Sequence, residues 1–84
     1  MTYTIVWRPE PVAALRSLRR QDPDAAKALV AAVGSLAADP RSVSSKPLAS
    51  GRFWRLRLDD LRVLYEVSDE TVTVYIIKVG STGR

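Results

Sequence analysis

Eighty-four residues with no Cys and no His carry a formal net charge of +4, from 13 Lys and Arg against 9 Asp and Glu. Disulfides, thiolate or imidazole nucleophiles, a histidine base and the usual zinc ligand sets are excluded, and a chain this short makes one domain, a sheet with a helical layer, that buries roughly two-thirds of its unfolded surface. Arg outnumbers Lys, so the expected partners are anionic, nucleic acid or an acidic protein, held by planar bidentate contacts.

Thr2 to Trp7 alternates Tyr3, Ile5 and Trp7 against Thr2, Thr4 and Val6, the pattern of a first strand rich in β-branched and aromatic residues. Pro9 and Pro11 end it. Proline is tolerated in a helix's first turn, so Pro9 to Arg20 reads as a helix with Val12, Leu15 and Leu18 along one side. Arg16, Arg19 and Arg20 lie off that stripe as a solvated basic face. Asp22-Pro23-Asp24 starts a second helix, with Asp22 as the cap, Pro23 at the first helical position and Asp24 placed favourably against the dipole. Its apolar positions Ala26, Leu29, Val30, Val33, Leu36 and Ala37 continue to Asp39-Pro40, where the residue before proline leaves helical angles. Joined only by Gln21 and Asp22, the helices form a hairpin that can cover one face of a sheet. Arg41 to Gly51 is rich in Ser, Pro and Gly and reads as a surface loop, with Lys46 toward solvent and Leu48 as its core anchor.

The most informative stretch is Phe53 to Val67, two alternating runs that meet at Asp59-Asp60 in the pattern of a β-hairpin. A two-residue turn sets Leu58 opposite Leu61, Arg57 opposite Arg62, Leu56 opposite Val63, Arg55 opposite Leu64 and Trp54 opposite Tyr65, and opposed residues share a face. One face is core, built from Trp54, Leu56, Leu58, Leu61, Val63 and Tyr65. The other gathers Arg55, Arg57 and Arg62 beside Leu64, and the Arg57–Arg62 opposition calls for a counter-anion, since like charges across a ladder are destabilising. After a turn at Ser68 to Glu70, Thr71 to Val79 is a long strand. With Asp69-Glu70 as the turn, Val67 pairs with Val72, Tyr65 with Val74, Val63 with Ile76, Arg62 with Ile77 and Leu64 with Tyr75, so Tyr75 joins the arginines. The resulting fold class is α+β: an N-terminal strand, a helical hairpin and a three-stranded antiparallel meander, with the helices on one face of a four-stranded sheet. No basic-then-apolar leader opens the chain and no apolar run nears the roughly 18–20 residues that span a bilayer, so a cytoplasmic protein without membrane contact is expected.

This order of elements resembles the RelE/ParE toxin superfamily across nearly the whole chain. The residues that carry the resemblance are Lys46-Pro47-Leu48, Trp54-Arg55-Leu56-Arg57-Leu58, Arg62-Val63-Leu64-Tyr65-Glu66-Val67 and the β-rich segment ending in Val79-Gly80. The resemblance implies a single RelE-like domain over residues 1–84 and the toxin role in a bacterial type II toxin-antitoxin pair. For RelE-like members it further implies an mRNA interferase, a metal-independent and cofactor-free endoribonuclease that enters the ribosomal A site, cuts mRNA and arrests growth by inhibiting translation. A cognate antitoxin, the ribosome and mRNA are the implied partners.

By position, Arg55 and Arg57 fall where RelE-like enzymes place two basic residues that act on the scissile phosphate and the attacking 2′-hydroxyl. Arg62 falls on the family's phosphate-binding arginine. Fixed cations at such a site stabilise the charge that develops on phosphoryl oxygens. Lys46, Arg52, Tyr75 and Arg84 are the expected RNA contacts around them, Tyr75 by stacking on a base. The tail departs from the pattern: where RelE-like nucleases follow Val-Gly with an arginine and then a tyrosine, this sequence reads Ser81-Thr82-Gly83-Arg84, and an arginine is a poor general base. Two alternatives therefore stand beside the nuclease. One is a ParE-like inhibitor of DNA gyrase; the other is a decayed toxin that keeps antitoxin binding and operon autoregulation.

Overall fold

A computed structural model describes residues 2–42, 45–48 and 51–81. Strand β1 (Thr4–Trp7) leads into helices α1 (Pro9–Gln21) and α2 (Pro23–Ser35). Both helices carry proline in the first turn, where the missing N–H had no intrahelical acceptor to lose. Asp22 serves both: its amide closes α1 on the Leu18 carbonyl at 2.7 Å, and its carboxylate accepts from the Ala25 amide at 3.1 Å to cap α2. Helix α2 stops at Ser35 rather than reaching Asp39. Leu36, Ala37 and Ala38 tighten into bonds to the Val33, Gly34 and Ser35 carbonyls, and the Ala37 carbonyl is taken by the Tyr3 amide at 2.7 Å. That bond commits the end of the helix to the start of β1.

Strands β2 (Ser45–Pro47), β3 (Phe53–Leu58), β4 (Leu61–Ser68) and β5 (Thr73–Ser81) complete a mixed sheet of five strands in the order β1-β5-β4-β3-β2. β1 runs parallel to β5, and the other neighbours are antiparallel. The expected α+β class holds, but the sheet has five strands rather than four, because Ser45, Lys46 and Pro47 pair with Leu56, Arg55 and Trp54 inside what reads as a loop. So short a strand shows no alternation in sequence, and its proline is tolerated because it lies at the sheet edge. Leu48 is 39% exposed and anchors nothing. Its role is carried by its backbone: the amide donates to Phe53 O and the carbonyl accepts from Gly51, whose φ of 78° closes the turn.

The helices cover one face of the sheet. Leu29, Val33 and Leu36 meet Leu56, Val63, Tyr65, Val67, Val74 and Ile76 in a buried cluster, and Ile5, Trp7, Leu15, Leu18 and Trp54 pack around it. The buried stripe of α2 is narrower than its apolar spacing suggests, and Val30 lies outside it at 40% exposure. Tyr65 is fully buried, and its hydroxyl donates to the Pro40 carbonyl. Burial pushes its phenol up, so it stays a protonated donor.

At the rim, Asp69 binds two groups from distant parts of the chain. Tyr3 donates to it at 2.7 Å and Arg41 at 2.9 Å, and the Arg41 guanidinium lies 5.8 Å from the centre of the Trp54 ring. The hydrogen bonds from Tyr3 and then Arg41 hold the Asp69 carboxyl below the usual carboxylate range.

Two outcomes follow from these bonds. Tyr65→Phe leaves the buried Pro40 carbonyl without its donor and lowers stability by about 1–3 kcal/mol in urea unfolding; an unchanged midpoint would show that the bond contributes nothing. Because the carboxyl of Asp69 is depressed in the folded state, its bonds stabilise above the ordinary carboxylate range and are lost as pH falls through the depressed value. Asp69→Asn should therefore show a smaller drop in melting temperature than the parent between about pH 5 and pH 2.

Candidate functional site

β3 and β4 pair in the register that a two-residue Asp59-Asp60 turn dictates, with Arg57 opposite Arg62, Arg55 opposite Leu64 and Trp54 opposite Tyr65. Asp59 takes the turn's positive φ of 51°, a conformation Asp tolerates better than most residues. Alternation does the rest. The register that buries Leu56, Val63 and Tyr65 turns Arg55, Arg57 and Arg62 to the opposite face, away from the helices.

β5 departs from the expected register. Val67 pairs with Val74 and Tyr65 with Ile76, two residues further along than a turn of Asp69-Glu70 alone would give. The connection spans residues 69–72 because Thr71 Oγ1 binds Ser68 Oγ at 2.9 Å, Val72 takes a φ of 50°, and the Val72 carbonyl accepts from the Thr4 amide at 2.9 Å. A bulge at Leu64/Tyr65 then passes over Ile77, so that Leu64 faces Lys78, Val63 faces Val79 and Arg62 faces Gly80. The extra residue reverses the alternation of β5. Val79 packs on the core, and Lys78, which would otherwise point inward, is exposed beside the arginines.

The longer turn, ahead of the bulge, moves Tyr75. It lies opposite Glu66, one row from the arginines, with the Arg8 guanidinium 5.4 Å from its ring centre, and Lys78 takes the place beside Leu64 expected for Tyr75. Among the other expected residues, Lys46 pairs with Arg55 across β2 and β3 and is exposed. Arg52 lies near Glu66, at 3.6 Å, rather than in the arginine cluster. Arg84 lies outside the described residues. Lys78 is the residue that sequence reasoning missed. Its signal was a lysine inside an otherwise apolar strand, a charge that cannot be buried unpaired and so implies a change of face.

The outer face thus brings together Lys46, Arg55, Arg57, Arg62 and Lys78. A depression of about 320 Å³ is lined by Arg55, Arg62, Leu64, Lys78, Gly80 and Ser81. The space above Gly80 is open: a Cβ built there meets nothing within 4 Å. Among the described residues, no carboxylate forms an ion pair with any of these five cations. Chemically, the face is a fixed, partly sheltered array of donors for phosphate or carboxylate oxygens. Among the described residues there is no cluster of three or more potential metal ligands, and no helix is long and apolar enough to cross a membrane.

Two helices on one side of a sheet are a fold shared with solved structures of bacterial and archaeal toxins. The chain resembles the structure of the toxin-antitoxin complex RelBE2 from Mycobacterium tuberculosis, at 28% identity and a TM-score of 0.81, with 96% of this chain and 99% of that chain covered. It also resembles the archaeal RelE-RelB complex from Pyrococcus horikoshii, at 27% identity and a TM-score of 0.83, covering 100% of this chain and 99% of that chain. The isolated RelE toxin of E. coli shares the fold, with 23% identity, a TM-score of 0.83 and coverage of 98% and 86%. No curated protein matches by sequence. The model of the ParE toxin of type II toxin-antitoxin systems, parDE, matches residues 5–84, and the chain belongs to this family of toxins.

The opposition of Arg57 and Arg62 has a direct consequence for stability. Arg57→Gln removes a like-charge pair and leaves the protein as stable as the parent, or more stable by about 0.2–1 kcal/mol in urea unfolding at low salt. Destabilisation beyond that range would mean that Arg57 serves the fold.

Proposed function

We propose that this toxin is a ribosome-dependent mRNA endonuclease whose outer sheet face binds the phosphodiester to be cut. The observation that carries the reading is the arginine opposition: Arg57 faces Arg62 across β3 and β4, with Arg55 alongside and, among the described residues, no carboxylate paired to any of the three. Such an arrangement costs stability in the free protein and is offset when an anion sits between the charges. Arg55 and Arg57 act at the scissile phosphate and its attacking 2′-hydroxyl, and Arg62 holds a phosphoryl oxygen. Negative charge grows on those oxygens as the 2′-oxygen, losing its proton, attacks phosphorus and the P–O5′ bond breaks with protonation of the leaving 5′-oxygen, and cations already in place stabilise it without reorganisation. Lys46 extends contact along the RNA. Protonated guanidiniums stabilise charge but do not accept the hydroxyl proton, so this reading assigns proton transfer to groups outside the cluster and requires the ribosome.

Membership of a toxin-antitoxin family, together with the RelE-RelB and RelBE2 complexes among its structural relatives, supports a cognate antitoxin as partner. Acidic side chains of an antitoxin would meet the same unpaired cations and silence the face by occupying it. A second reading, inhibition of DNA gyrase without RNA cleavage, is favoured by the match to the ParE toxin model.

Purified toxin added to a translating extract separates the two. The endonuclease reading predicts cuts in mRNA that require ribosomes, mapped by primer extension, and a loss of about 10²-fold or more in rate with Arg57→Gln or Arg62→Gln while the fold is retained. Intact mRNA together with lost DNA supercoiling would replace it with the gyrase reading.

A further inference from the structure

The positions of the charges on the outer face also set a direction. Lys46, Arg55, Leu64 and Lys78 are successive partners on β2, β3, β4 and β5, so they form one row at right angles to the strands. Three strand spacings separate its ends, about 14 Å. Arg57, Arg62 and Gly80 form the neighbouring row, and together the two rows hold five cations that no carboxylate pairs among the described residues, with Arg8 beyond them over Tyr75.

Carboxylates bound this zone along the strands. On one side lies the row of Phe53, Glu66 and Tyr75, where Glu66 is a quarter exposed. On the other lies the Asp59-Asp60 turn, both residues exposed. A polyanion laid along the strands would leave the cation rows for the exposed carboxylates of the turn at one end and, at the other, for a row where Glu66 is already paired with Arg52. Laid across them, it meets only cations, the half-buried Leu64 and the open floor at Gly80.

We infer that a single-stranded RNA backbone crosses the sheet perpendicular to the strands, along the row from Lys46 to Lys78, with Lys78 as a phosphate contact at its far end. The inference rests on the endonuclease reading and deepens it. Lys78 occupies this place because of the bulge that passes over Ile77, and bulges beside functional sites commonly re-aim a side chain in this way. Leu64 supplies an uncharged step between two phosphate grips, on which a sugar or base edge can rest.

The test is binding of a labelled single-stranded RNA oligonucleotide to the purified chain across a salt series, read by fluorescence anisotropy. Each phosphate contact removed lowers the slope of log K against log salt by about 0.7 for a single strand. Lys78→Gln and Lys46→Gln should each lower the slope by about that amount, the double variant should lower it by about twice as much, and Lys78→Arg should restore the parent slope. Lys27→Gln, on α2, should change nothing. If the parent binds and Arg57→Gln weakens it, but both lysine variants keep the parent slope, the crossing path is wrong and the arginine site stands. A parent chain that binds no RNA would overturn the site reading and the path with it.

Discussion

A hairpin whose side chains alternate must commit every second residue to the core, and in β3 and β4 that commitment leaves four of the remaining positions to Arg55, Arg57, Arg62 and Leu64. A slip of one residue would bury three guanidiniums and expose Trp54, Leu56, Val63 and Tyr65, a change that no local rearrangement could offset. The helices depend on this register, because Leu29, Val33 and Leu36 pack on the face it creates. So does the basic surface. Fold and charge are two consequences of a single alternation, and removing an arginine need not disturb the core on the opposite face.

The rest of the sheet adapts to that hairpin. β5 is mostly apolar and could bury either set of its residues; contacts outside the strand decide between them. Thr4 binding the Val72 carbonyl and Ser68 holding Thr71 lengthen the turn by two residues, which keeps Val74 and Ile76 inward, and the bulge at Leu64/Tyr65 reverses the alternation near the end. The outcome places Val74, Ile76 and Val79 against the core and Lys78 and Gly80 outside. A charge sits next to the arginines, and the residue facing Arg62 has no side chain to cover it.

These differences explain what could be read from the amino-acid sequence. The hairpin was legible to the residue because its apolar and charged positions alternate strictly and Asp59-Asp60 marks the turn. The helix starts were legible because Pro9 and Asp22-Pro23 have few other uses. Strand β2 was hidden by its three-residue length, the end of α2 by a bond from Tyr3 across the fold, and the β5 register by tertiary contacts that periodicity does not encode. The candidate site follows the same division. Arg55, Arg57 and Arg62 follow from alternation alone, whereas Lys78 needed the bulge, and Tyr75 stood one row from its expected place because the turn before β5 is two residues longer.

One face of the hairpin folds the protein, and the proposed role of the other is to bind a phosphate backbone. A ¹⁵N-resolved NMR titration of the folded chain with a short single-stranded RNA tests it most directly. Shift changes should gather on β2 to β5 around Arg55, Arg57, Arg62 and Lys78, with the outer sides of α1 and α2 unmoved. Shifts confined to the helices, with the arginine face silent, would contradict it.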